Sequence, residues 1–175
     1  MTTQTTAQLT SLNIAILTVS DTRDESTDRS GNFLKEQVIE EGHNVVEKVI
    51  LPDDKYAIRA QVAHWIAQDK VESVLITGGT GFASRDVTPE AVTPLFDKEI
   101  VGFGEVFRHI SYLEIGNSTI QSRALAGVSN NTVIFCMPGS TGACKTAWSK
   151  IIKDQLDSRH KPCNYASLIK RPQSN

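Results

Sequence analysis

Short apolar runs alternate with polar, turn-rich stretches along most of this chain, and the period of each run names the element it forms. Ile14-Ala15-Ile16-Leu17-Thr18-Val19 is continuous and rich in branched side chains, the pattern of a strand covered on both faces. Polar residues from Ser20 to Asp28 show no period and predict a loop. Ser30 is then placed to cap a helix that carries Phe33, Leu34, Val38 and Ile39 on one side and stops at Gly42. Val45, Val46, Val49, Ile50 and Leu51 make a second strand. Pro52-Asp53-Asp54 opens a helix whose Ile58, Val62, Trp65 and Ile66 share one face.

Val74-Leu75-Ile76-Thr77 is a third strand that runs straight into Gly78-Gly79-Thr80-Gly81. Thr88-Pro89 reads as a cap residue followed by proline at the first helical position, which predicts a short helix through Leu95 and Phe96. Gly102 to Ile120 is helical in part, with Phe103, Val106, Phe107 and Ile110 on one side. Thr132-Val133-Ile134-Phe135-Cys136-Met137 is the last clear strand; Pro138-Gly139 ends it, and a helix holding Trp148, Ile151 and Ile152 follows. Strands alternating with helices predict an α/β three-layer sandwich, a mostly parallel sheet with helices on both faces. One domain over residues 12–160 is expected, between a flexible N-terminal segment, 1–11, and a C-terminal tail, 161–175, without visible period.

Composition narrows the function classes. With 175 residues and 39% hydrophobic content, one core is the expectation. A formal charge of -2 leaves no basic excess to track a nucleic acid, while a pocket for one small phosphorylated ligand stays open. No apolar run approaches the ~20 residues of a membrane span, so a cytoplasmic protein with no membrane partner is expected. Cys136, Cys144 and Cys163 are read as reduced, structural thiols, and neither zinc nor haem is expected, because no ligand spacing occurs.

In open parallel sheets ligands bind beyond the carboxyl ends of the strands, so the loops there are the ones to interrogate. Ser20-Asp21-Thr22, Pro52-Asp53-Asp54, Gly78-Gly79-Thr80-Gly81 with its extension to Asp86, and Pro138-Gly139-Ser140-Thr141-Gly142 are those loops. Bare glycine amides suit an anion, and carboxylates suit a divalent cation. If the second and third strands are neighbours, their ends lie about 5 Å apart, and Asp53 and Asp86 can face each other to share a proton or bind Mg²⁺. Asp53 reads equally as a helix cap, Asp86 as a turn residue and Asp54 as a first-turn acid. Three glycines in four residues after a strand let a ligand or another backbone approach closely. Gly139 to Thr146 narrowly misses a P-loop, with Cys144 where its second glycine should be; Ser140 and Thr141 either bind an anion or only cap the last helix. His64 and His109 adjoin no candidate acid or nucleophile and read as packing or surface residues. Trp148, Phe103 and Phe107 read as core or subunit contacts.

Leu17-Thr18-Val19-Ser20-Asp21, Pro52-Asp53-Asp54, Thr77-Gly78-Gly79-Thr80-Gly81, Arg85-Asp86-Val87-Thr88-Pro89-Glu90-Ala91 and Met137-Pro138-Gly139-Ser140 occur in that order. In them the chain resembles the MoaB/MogA family of molybdenum cofactor biosynthesis proteins, from about Asn13 to Leu156, and its protein B branch in particular. The resemblance implies a molybdopterin-binding α/β fold assembled as a homotrimer or a hexamer. It also implies transfer of AMP from Mg·ATP to the terminal phosphate of molybdopterin, with release of pyrophosphate. By motif, Asp53 and Asp86 match the family's two functional acids and would hold Mg²⁺. Gly78, Gly79, Thr80 and Gly81 match its nucleotide or pterin cradle, Gly139, Ser140 and Thr141 its pterin-phosphate loop, and Ser20 and Asp21 a first-loop position. A non-catalytic molybdopterin carrier or scaffold of the same pathway is the alternative.

Overall fold

The structure, a computed structural model, describes residues 8–169. It is built on one six-stranded sheet in the order β2-β1-β3-β6-β5-β4. Strands β1 (Asn13–Val19), β2 (Asn44–Leu51), β3 (Ser73–Thr77) and β6 (Thr132–Met137) are parallel; β5 (Leu125–Ser129) and β4 (Lys98–Glu99) complete one edge in antiparallel fashion. The α/β three-layer expectation holds, and β1 shows why. Ile14 and Ile16 enter one core with Leu34, Val38, Phe107 and Trp148, whereas Ala15, Leu17 and Val19 enter another with Ile58, Val62 and Trp65. An alternating strand with both sets of side chains apolar must have a helical layer on each side. α1 (Arg29–Glu40), α4 (Val101–Ile115) and the helix from Thr141 to Leu156 form one layer; α2 (Lys55–Ile66) and α3 (Thr88–Val92) form the other.

Several local expectations are corrected. Ser30 does not cap α1: Asp28 does, accepting from the Gly31 amide at 2.8 Å, while Ser30 lies inside the helix and donates to the Gly139 carbonyl. Asp54, not Asp53, caps α2, accepting from the amides of Tyr56 and Ala57. Thr88 makes no side-chain cap, because its hydroxyl donates to the Gly78 carbonyl. Strands 2 and 3 are not neighbours; β1 lies between them. Strands β5 and β4 escaped the sequence reading because Leu-Ala-Gly-Val-Ser lacks the branched run of a buried strand. Its signal was Asn130-Asn131, both at positive φ in the tight turn to β6.

Phe103 and Phe107 belong to the chain's own core, not to a subunit contact: they are 3% and 1% exposed and stack on each other, with Phe103 edge-on to Phe135. The apolar side chains left outside on α4 include Val106, Tyr112 and Leu113. Residues 161–169, without period in sequence, nonetheless close on the core through Ala166 and Ile169 of a short helix, α5 (Ala166–Ile169). Residues 1–7 and 170–175, at the outer ends of the expected segments, lie outside the described residues. Within the first segment, the Thr10 amide donates to the Ser158 hydroxyl. Among the described residues no helix is long and apolar enough to cross a membrane.

The polar loop after β1 is anchored by one buried carboxylate. Asp28, 1% exposed, accepts from the Gly31 amide, the Thr18 hydroxyl and the Lys48 ammonium, each at 2.8 Å. Burial alone would lower the Lys48 ammonium, but the carboxylates of Asp28 and Glu25 outweigh it and hold the group above its ordinary value. That contribution is full below the unfolded lysine value of about 10.4 and is lost as pH rises through the higher folded one. Asp28→Ala removes the cap and leaves a largely buried ammonium facing only the exposed Glu25. The expected loss is about 3 kcal/mol of unfolding free energy in urea denaturation at neutral pH. A loss under about 1 kcal/mol, the size of an exposed ion pair, would refute this anchoring role.

Candidate functional site

The parallel registers of β1, β3 and β6 bring Val19, Thr77 and Met137 to the same edge of the sheet, so the loops that leave them meet. Connections diverge there, β1 leading to β2 on one side and β3 leading through α3 to β4, at the far edge, on the other, which opens a crevice at the strand ends. A cleft of about 620 Å³ occupies it. Of the residues singled out by sequence, Ser20, Asp53, Gly78, Gly79, Thr80, Gly81, Asp86, Gly139, Ser140 and Thr141 all line it. Asp21 does not; its carboxylate makes a two-toothed pair with Arg85 at 2.9 and 2.7 Å and accepts from the Asp53 amide.

The glycine loop is shaped by what presses on it. Gly78 has φ +105°, and a Cβ on it would stand 2.2 Å from the Val19 carbonyl oxygen; Gly79 has φ +63°, with a Cβ 2.4 Å from the Thr88 hydroxyl. Only glycine fits either position. The carbonyls of this loop are all taken from behind. Thr88 donates its hydroxyl to Gly78 and its amide to Gly79, and Arg123 donates to Thr80 and Gly81. In a trans peptide the following amide points the opposite way. Among the described residues none accepts from the amides of Gly79, Thr80, Gly81 or Phe82. Neither Thr88 nor Arg123 borders the cleft, whereas Gly78 to Gly81 do. The result is a row of amide donors without acceptors, the arrangement that binds an anion.

Because Asp54 takes the helix cap, the Asp53 side chain is free to line the cleft, where the Asp21 backbone amide donates to it. Burial, then the neighbouring charges of Asp21 and Asp86, push the Asp53 carboxyl above the usual aspartate range. Asp86 folds back from its loop and accepts from the Ala83 amide at 2.8 Å, so the turn reading also holds for it, while the side chain still lines the cleft. Its carboxylate lies beside Gly81, where a Cβ would come within 2.8 Å of it. β1 separates β2 from β3, and the Gly78–Asp86 excursion spans that strand to join the two acids. Among the described residues no set of three or more His, Cys, Asp or Glu side chains is arranged to hold a metal. Two carboxylates on one cleft, with the charge of Asp86 acting on Asp53, fit a cation that takes its other ligands from phosphates and water, as Mg²⁺ does.

The fourth loop packs on the second. A Cβ on Gly139 would sit 3.2 Å from the Gly78 Cα. Ser140 caps the helix that begins at Thr141, accepting from the Ala143 amide at 3.1 Å, so the capping reading is realised at a position that also borders the cleft. Thr141 lies 3.2 Å from the Ser30 hydroxyl. Cys144 is buried beneath, its sulfur 3.1 Å from the Thr77 hydroxyl, and burial pushes its thiol up to about 11. It is a protonated packing residue at neutral pH.

Sequence reasoning missed the cations of the site. Arg23 and Arg29 line the cleft from the loop after β1 and the start of α1, and Ser118, Thr119, Gln121 and Ser122 close its far wall from the segment after α4. The clue available was Arg23 within the first of the four strand-end loops and Arg29 directly after it, at the start of α1. Arg123 followed a segment whose breaks could not be placed.

The domain family described as "Probable molybdopterin binding domain" matches residues 15–158. Molybdenum cofactor biosynthesis protein B of Escherichia coli (strain K12) is 56% identical over 168 residues, covering 96% of this chain and 99% of that protein. Its counterpart in Staphylococcus carnosus is 50% identical over 149 residues, covering 83% and 87%. Among solved structures, a molybdenum cofactor biosynthesis protein B superposes with a TM-score of 0.81 at 49% identity, covering 84% of this chain and 92% of that one. The tungsten cofactor synthesizing protein MoaB from Pyrococcus furiosus gives 0.73 at 39% identity, with 83% and 92% covered. A MogA structure, at 24% identity and a TM-score of 0.72, shares the fold. By likeness of sequence along nearly its whole length, and by superposition of its sheet and helices, this chain belongs to the MoaB/MogA family of molybdenum cofactor biosynthesis proteins.

Proposed function

We propose that this protein acts in molybdenum cofactor biosynthesis by transferring AMP from Mg·ATP to the terminal phosphate of molybdopterin. The observation that carries the reading is the pairing, in one cleft, of two opposed carboxylates with a row of unpaired amides. Asp53 and Asp86 are the residues that would hold Mg²⁺; bound there, the ion would offset charge on the nucleotide's phosphates. The amides of Gly79 to Phe82 would take up the anionic oxygens of the phosphate chain. Arg23 and Arg29 add two positive charges to a cleft that must receive two phosphorylated ligands. Ser140 and Thr141 are assigned the pterin phosphate.

The attacking group is an oxygen of that pterin phosphate. It forms a bond to the α-phosphorus of ATP as the bond to the β-phosphate oxygen breaks, and pyrophosphate leaves with the electron pair. A phosphate monoester is already ionised at neutral pH, so no general base is required of the chain. Its residues are asked to align donor and acceptor and to stabilise charge in flight.

Quenched reactions containing molybdopterin, ATP and Mg²⁺ test the reading. Wild type should yield adenylylated pterin, and Asp86→Asn should lower turnover by about a hundredfold or more with pterin affinity within a few-fold. Saturable pterin binding with no product from wild type would place the chain among non-catalytic carriers.

Asp53→Asn separates function from stability. A carboxyl raised in the folded state costs stability once ionised, and that cost is relieved as pH falls through the folded value towards the unfolded one of about 3.9. Asp53→Asn should therefore melt higher than wild type at neutral pH without Mg²⁺, the gap narrowing on acidification, while losing activity. Equal melting temperatures at both pH values would remove the electrostatic tension inferred at this carboxylate.

We infer the homotrimer or hexamer of the family for this chain as well, with the apolar face of α4 as its contact. Leu113 is 74% exposed on that face. Leu113→Glu should shift the mass seen by light scattering towards the monomer; an unchanged oligomer would move the contact elsewhere.

A further inference from the structure

Arg123 reaches the glycine loop from the side opposite the cleft. Its Nε lies 2.8 Å from the Gly81 carbonyl and 3.3 Å from that of Thr80, and its Nη2 lies 2.8 Å from the Asp86 carbonyl. Nη1 pairs with Glu90 of α3, and the Arg123 amide itself donates to Thr80 at 3.2 Å. The ring of Phe82, at the exposed crest of the loop, lies over the same guanidinium. One planar group therefore ties the start of the excursion, at Thr80 and Gly81, to its end at Asp86.

We propose that Arg123 is the positioning residue of the site, a clamp that turns the loop's carbonyls away from the cleft and holds Asp86 opposite Asp53. This deepens the reading above, since it assigns the clamp to the anion and cation sites proposed there. The physical need is specific. A loop of glycines has little intrinsic preference for one peptide orientation. A peptide that turned over would present a carbonyl oxygen to an incoming phosphate and withdraw an amide from it. A guanidinium supplies donors in a fixed plane, enough to satisfy three carbonyls and a carboxylate at once. A lysine ammonium carries the same charge as a single point and cannot bridge both ends of the excursion. Thr88 performs the matching task for Gly78 and Gly79.

Wild type, Arg123→Lys and Arg123→Gln are compared by amide hydrogen exchange, by calorimetric Mg·ATP binding and by pterin binding. The amides of Ala83, Asp86 and Thr88 are hydrogen-bonded within the clamped segment and report its order. Both variants should exchange these amides about tenfold faster or more, with the amides of β3 and β6 unchanged. Both should bind Mg·ATP about tenfold more weakly while pterin affinity stays within about twofold. A merely structural arginine would instead weaken both ligands and loosen the sheet. Unchanged exchange and unchanged Mg·ATP affinity in Arg123→Gln would overturn the proposal, as would full restoration by lysine, which would make charge and not the fork the active feature. If Arg123→Gln does not fold, Arg123→Lys decides by the same two measurements. Lack of product from wild type would end the transferase reading alone, because exchange judges the clamp without turnover.

Discussion

The backbone of Gly78 passes so close to the end of β1 that no side chain could stand between them: a Cβ there would fall 2.2 Å from the Val19 carbonyl oxygen. On the other side, the Cα of Gly78 faces Gly139 at the end of β6. The loop leaving β3 is thus wedged between the two strands that flank it, and the crevice at the sheet's edge exists because three strand ends can crowd together there. Register does the rest. Thr18 pairs with Thr77, and Thr77 with Met137, so the crowding happens at one level of the sheet and not along its length. Everything assigned to the cleft hangs on this close approach, including the direction of the loop's amides and the reach of Asp86 across β1.

Around that wedge the structure separates rigid charges from strained ones. Asp28, Lys48 and Thr18 form a buried polar cluster in which each partner is met, and it anchors the otherwise irregular loop after β1. The cleft carboxylate Asp53 is the opposite case: half-buried and near two further acids, it is held above its usual range because burial and those charges outweigh the Asp21 backbone amide that donates to it. Unpaired amides beside a carboxylate crowded by other acids are costly in a folded chain unless a ligand with both anionic and cationic parts meets them. A metal-bound nucleotide is such a ligand, and a molecule that keeps this arrangement accepts lower stability in exchange for affinity. Arg123 and Thr88 bear the corresponding duty on the outer side, where carbonyls would otherwise go unmet.

Much of the site was legible because it depends on residue types that few other roles demand. Three glycines in four residues directly after a branched strand marked a close backbone approach, and the acids at positions 53 and 86 flanked it in strand-end loops. The fold class was legible for the same kind of reason: β1 is apolar at every position but Asn13 and Thr18, and only a two-sided burial supports that. What misled was local and competitive. Ser30, Thr88 and Asp53 each have the chemistry of a cap, yet a neighbour one or two positions away took that task or a tertiary partner claimed the hydroxyl. Adjacent capping candidates differ by a few tenths of a kcal/mol, which a single long-range hydrogen bond exceeds.

The sequence by itself determined the layers, the four loops that meet at the sheet edge, and the acids and glycines they carry, because hydrophobic period and backbone freedom are properties of neighbouring residues. Only the tertiary structure decided the order of the strands, with β1 interposed between β2 and β3, and the antiparallel edge of β5 and β4. It alone brought Arg23, Arg29 and Arg123 to the site, turned Asp21 towards Arg85, and drew Phe103 and Phe107 into the core. Those choices join residues tens of positions apart, and their energies lie in packing and in charges brought together by folding, which no local pattern records.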